Sequence, residues 1–206
     1  MQKKKLRDVI SDTVQITAEV GTDVISSFLD GSIGQILPGV VTLKMSWMQR
    51  RSERRILKLI EELKNRQTRL EQLILLLSDE RLEKLKEYYV PELFEYSSVE
   101  KEEEKIELLV NGFEGMIKNN IQYSDYIDYM DVMNQLRISD IPILLRLTKE
   151  EIDSDAKDID SLGVYKLNKL NQLGLTGYQL RFDGHKSYFI SEFGKSFIRH
   201  FIESSN

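Results

Sequence analysis

The chain contains no cysteine, and that single absence removes disulfides, thiol nucleophiles and cysteine-ligated metals together. A reducing, cytoplasmic setting is the expectation. Only two histidines are present, His185 and His200, and neither has the partner four residues away that a helical zinc site needs. No Gly-rich loop ends in Lys-Ser/Thr, and no strand-to-helix nucleophile motif is present. Acids and Thr interrupt the residues after the basic start MQKKKLRDVISDTVQI, so no secretory leader is expected. The Gly-rich apolar stretch 30–41 is too short and too interrupted for a membrane-spanning helix. Asp125, Asp128 and Asp131 share a helix face, but a hard cation needs a second set of oxygen ligands, and none lies nearby in the sequence. The expectation is therefore a non-enzyme: no catalytic residue, no metal ligand, no cofactor and no small-molecule substrate.

What is present is a chain of 206 residues, 41% hydrophobic and 31% charged, enough to bury a core. Its net charge of −5 is partitioned. Residues 1–70 hold 13 Lys/Arg against 8 Asp/Glu, residues 71–160 hold 10 against 23, and residues 161–206 hold 6 against 3. An acidic middle between basic ends suggests that the ends and the middle meet different partners, or that they attract each other.

The spacing predicts a mainly α protein: a helical bundle with a long central helix, followed by a C-terminal winged helix-turn-helix bearing a small β-hairpin. Four segments follow from the patterning: an N-terminal amphipathic, Gly-rich basic region (1–50), a helical bundle (51–147), an acidic linker (148–160) and the winged-helix module (161–206). In the first, Trp47 followed by Arg50, Arg51, Arg54 and Arg55 sets an aromatic anchor beside four cations, a composition suited to a partner or to anionic lipid headgroups. The alternative there is a helical hairpin whose arginines face water.

From Ser52 to Tyr89 one helix is expected. Ile56, Ile60, Leu63, Gln67, Leu70, Ile74 and Leu77 alternate spacings of four and three, the seam of a coiled coil. Such a seam must be covered, either by neighbouring helices or by a second copy, and a homodimer is slightly favoured. Ser78-Asp79-Glu80 is placed to recap the helix and Pro91 to end it. Ser97 with Glu100 has capping-box spacing ahead of a helix with the core face Ile106, Leu109, Val110, Phe113, Met116 and Ile117. Asn119-Asn120 ends that helix, and Ser124 and Ser139 are placed to cap the two that follow.

At the C-terminus, LGVYKLNKLNQLGL reads as an amphipathic helix, GYQLRF and KSYFIS as strands around the turn Asp183-Gly184-His185, and EFGKSFIRHFI as a closing helix. If this module reads DNA, Lys166, Asn168, Lys169 and Gln172 lie on the polar side of the recognition helix, and Arg181 and Lys186 flank the wing. Two or three cations make few phosphate contacts, so such binding would be modest and salt-dependent.

Two further strings carry a resemblance. Glu104-Lys105-Ile106-Glu107-Leu108-Leu109, then Val132-Met133-Asn134-Gln135-Leu136 with Ser139-Asp140-Ile141-Pro142-Ile143-Leu144, resemble the helices of the bacterial abortive-infection alpha family that precede its closing module. Leu170 to Leu175 followed by Tyr188 to Phe197 resembles its closing segment, so the resemblance covers roughly residues 100–202. It implies a bacterial or phage-related defence setting and no catalytic residue. The expected function is a non-enzymatic defence protein acting through a protein partner, a membrane surface or self-association; the alternative is a DNA-binding regulator. The expected location is cytoplasmic, with peripheral membrane association left open.

Overall fold

The computed structural model describes residues 49–203, with side chains from residue 54 onward. They form a mainly helical protein with one small antiparallel sheet. The described chain divides into two compact units between Tyr126 and Ile127, inside a helix. The N-terminal expectations over residues 1–48, Trp47 among them, lie outside the described residues.

The first unit contains α1 (Gln49–Asn65), α2 (Gln67–Leu75), α3 (Asp79–Lys84), a π-helical turn (Leu85–Tyr89), α4 (Val90–Val99), α5 (Lys105–Asn119) and the start of α6 (Tyr123–Gln135). The single helix expected over 52–89 is interrupted twice. At Arg66 the backbone leaves the helical path (φ −107°, ψ 9°), and the guanidinium reaches the Asn111 Oδ1 of α5 with Glu62, Glu107 and Glu114 3.6–3.8 Å away. The second break falls after Leu75, and Ser78 recaps the chain by accepting the Arg81 N–H at 3.4 Å. Pro91 does not end the helical run. It is the second residue of α4, directly after the π-helical turn Leu85–Tyr89, whose shifted hydrogen bonding carries the run through.

The heptad seam is covered in part by the chain itself. Ile60, Leu63 and Leu70 are buried, with Leu59 beside them, where α1 packs on α4 and α5 and α2 packs on α5. Ile56, Gln67 and Ile74 are half-buried, and the Gln67 amide donates to Glu71 Oε1 at 3.0 Å, within its own helix. A period of 3.5 is common to intermolecular and intramolecular packing, which is why the sequence alone does not separate them. The most deeply enclosed helix is α5, in which every residue from Leu109 to Ile117 is buried, including Asn111 and Glu114.

Ser97 does not open α5. It is buried within α4, which continues to Val99, and α5 begins at Lys105. Glu100 instead caps the connecting turn, accepting from the Lys101 and Glu102 N–H groups at 2.6 and 3.0 Å, while its other oxygen lies 2.5 Å from the buried Lys105 Nζ. Asn120 ends α5 in the left-handed conformation (φ 54°), as the Asn pair suggests.

The second unit contains the rest of α6, a 3₁₀ turn (Ile138–Asp140), α7 (Ile141–Arg146), β1 (Ile152–Asp153), α8 (Ser161–Gln172), β2 (Thr176–Leu180), β3 (Lys186–Ile190), α9 (Glu192–Phe197) and a closing π-helical turn (Ile198–Ile202). The sheet order is β1-β3-β2, antiparallel throughout. The acidic segment 148–160 is no free linker: Ile152 is buried and β1 pairs with β3, Ile152 opposite Tyr188. Its acids give the segment a solvated look, and a two-residue strand leaves too little alternation to recognise. Asp160 caps α8 by accepting the Gly163 N–H at 2.7 Å. Gly184 (φ 84°) supplies the left-handed residue of the hairpin turn.

His200 is buried near the Tyr129 ring, and burial lowers its pKa from the ordinary 6.5. Because the folded state disfavours the imidazolium, the His200 contribution is fully present above about pH 6.5 and is lost as pH falls from there toward the lower folded value. Urea unfolding of the wild type and of His200→Gln between about pH 7.5 and pH 5 should show the wild type losing stability relative to the variant. A constant difference across that range would show that His200 titrates alike in both states.

Candidate functional site

The hairpin is the most exposed regular structure of the second unit. Its register pairs Gly177 with Phe189, Tyr178 with Tyr188, Gln179 with Ser187 and Leu180 with Lys186. The Arg181 N–H donates to His185 O at 2.8 Å, and the Ser191 N–H donates to Leu175 O at 3.1 Å. With bonded pairs alternating along an antiparallel ladder, residues 177 and 179 also bond to β3. The N–H and C=O groups of Tyr178 and Leu180 therefore point to the outer edge of β2. No described strand pairs with that edge. Its side chains are apolar and open: Tyr178 is 43% exposed, Leu180 69%, and Phe182 at the turn is fully exposed.

The cations expected to meet DNA lie around this hairpin, and each is engaged within the unit. The Lys166 Nζ donates to Ser139 O at 2.7 Å. The Lys169 Nζ lies 2.6 Å from Oδ2 of the buried Asp140. Arg181 is surrounded by Asp153 at 2.6 Å, Asp183 at 3.2 Å and Asp155 at 3.8 Å. Lys186 sits 4.3 Å from the centre of the Tyr178 ring and 3.5 Å from Asn168 Oδ1, which also accepts from the Tyr188 hydroxyl at 2.7 Å. Gln172 is exposed. The surface around the hairpin is thus locally neutralised, with Glu151 also bonded to Ser187.

The arginine cluster of the basic front end is only partly described. Arg50 and Arg51 lie in α1, Arg54 is exposed, and the Arg55 guanidinium donates to Ser98 O at 2.9 Å, tying α1 to the end of α4. Among the described residues no helix is long and apolar enough to cross a membrane. Among them, too, no group of three or more His, Asp or Glu side chains is arranged to hold a metal.

No family model, curated protein or solved structure matches this chain.

Sequence reasoning locates the hairpin but not its free edge. Alternation marks Tyr178, Leu180 and Phe182 as one face of a strand, yet only the pairing order shows that β2 is outermost. Two of the acidic partners of Arg181, Asp153 and Asp155, come from the upstream segment that reads as a linker, and only Asp183 is a neighbour in the sequence.

Proposed function

We propose that this chain is a non-enzymatic binding protein of a bacterial or phage-related, abortive-infection-like defence response, and that it engages an extended apolar segment of a protein partner along the outer edge of β2. The observation that carries this reading is a strand edge left unpartnered among the described residues beside exposed Tyr178, Leu180 and Phe182. An added strand satisfies the outward N–H and C=O groups of Tyr178 and Leu180, and its side chains cover the apolar ones beside them. The defence setting rests on the sequence resemblance over residues 100–202.

The alternative, a DNA-binding regulator, calls for cations free to meet phosphate, and neutralised lysines and arginines weigh against it. Self-association through the heptad seam is disfavoured for a comparable reason, since Ile60, Leu63 and Leu70 are already buried. Anionic lipid contact through Trp47 and Arg50 to Arg55 involves residues at or beyond the edge of the described chain and plays no part in this reading.

The test is to express the gene in a susceptible host and plate a broad phage panel. The wild type should lower plating efficiency for at least one phage. Leu180→Asp, which places a charge on the exposed edge without touching the core, should restore plating by at least about tenfold. Lys166→Glu combined with Gln172→Glu should leave protection intact. No protection by the wild type, or full protection by Leu180→Asp, would contradict the proposal; loss with the Lys166 and Gln172 pair would favour DNA.

A further inference from the structure

The first unit carries a cleft of about 140 Å³ between α3, the π-helical turn and the C-terminal end of α5. Its floor is apolar: Leu85, Met116 and Ile117 are buried side chains. Two cations, Arg81 and Lys84, stand in its wall, and no acid lines it. Lys84 is taken up by Glu80 at 2.7 Å. Arg81 has no carboxylate within ion-pairing distance among the described residues, although it is partly buried. The amides of Asn120 and Gln122 complete the polar side.

We infer that this cleft is a binding site for a small amphiphilic carboxylate, with one ring or a short alkyl body on the apolar floor and its carboxylate on Arg81. Size sets the class of ligand. An apolar cavity of about 150 Å³ holds a benzene ring, whereas drug-sized ligands occupy roughly 300–1,000 Å³. Charge sets its sign, because Lys84 is already neutralised by Glu80 while Arg81 is not, and an unpaired guanidinium offers a planar fork that a carboxylate fits in two contacts. The π-helical turn beside the cleft is a local distortion of the sort that accompanies functional sites, and here it carries Leu85 and Tyr89 to the lining. The Tyr89 hydroxyl is already spent on Ile121 O at 3.3 Å, which leaves recognition of the head group to Arg81 and the amides.

The cleft belongs to a different unit and a different chemistry from the strand edge, so the two readings stand or fall separately. The test titrates the full chain with benzoate while following backbone amide and methyl resonances by NMR, with benzylammonium and benzyl alcohol as controls of the same size. Benzoate should bind saturably in the millimolar range, as suits so small a ligand, and move the signals of Met116 and Ile117. Arg81→Gln should weaken it by about tenfold or more, the loss of one charge-assisted contact, while Arg81→Lys retains part of the affinity. Benzylammonium should not bind. Since Arg81 has no ion pair to lose, the Gln variant should unfold at the same urea concentration as the wild type. Failure of benzoate to saturate, equal affinity in Arg81→Gln, or equal binding of benzylammonium would overturn the inference.

Discussion

Gly194→Ala should destabilise the second unit by about 3 kcal/mol or more, among the largest losses open to a single added methyl group. A Cβ built on Gly194 would stand 2.0 Å from the carbonyl oxygen of Leu175 and 2.9 Å from its carbon. Both are backbone atoms. Leu175 O is held in place because it accepts the Ser191 N–H, and Ser191 in turn caps α9 by accepting the Gly194 N–H at 2.9 Å and donates to Gly174 O at 2.6 Å. The start of α9 is thereby pressed against the end of α8, and no side-chain rotation relieves the clash. Gly184→Ala is the control: its φ of 84° is strained for alanine, but the space around it is open, so it should cost only about 1 kcal/mol. Thermal or urea unfolding of the two variants checks the order. Equal losses would show that α9 can lift away from Leu175.

Glu114→Ala should cost the first unit about 2–3 kcal/mol. Glu114 lies on the enclosed helix α5 with almost no exposure, and its carboxylate pairs with Arg69 and stands 3.6 Å from Arg66. Removing it strands part of the Arg66 guanidinium in a half-buried site, which is the expensive half of breaking a buried pair. The loss stays below the range for fully buried pairs because the Arg69 side chain is 44% exposed, so water can resolvate its charge. Glu107→Ala removes a more exposed neighbour of the same guanidinium, 3.8 Å away, and should change stability by less than about 0.5 kcal/mol. Urea midpoints of the two variants measure this directly. A loss as small for Glu114 as for Glu107 would mean that water already screens the network.

The same arginine explains where the sequence is readable and where it is not. Helical spacing identifies the core faces of α1, α5 and the C-terminal module, because periodicity is a property of the segment alone. Ile106, Leu109, Val110, Phe113, Met116 and Ile117 are all buried. The break at Arg66 is invisible because its cause is long-range: the partners Asn111 and Glu114 are 45 and 48 positions away along the chain. Ser97 misleads for the opposite reason, since its cap spacing with Glu100 is local and complete, yet a buried Lys105 recruits Glu100 into the turn instead. The cations of the C-terminal module can be found by type and helix face, whereas their engagement by Ser139, Asp140, Asp153 and Asn168 requires the fold. Neither the free edge of β2 nor the Arg81 cleft has a sequence motif. Each is made by elements that meet only after folding.

The claim that β2 offers an open edge for a partner is tested most directly by amide hydrogen exchange on the full chain at low concentration. The account predicts that the Gln179 N–H, bonded to β3, exchanges slowly, while the neighbouring Tyr178 and Leu180 N–H groups exchange at rates approaching those of an unstructured peptide. Protection of all three amides to the same extent, unchanged on dilution, would show that the edge is already closed within the molecule and would contradict the proposed mode of binding.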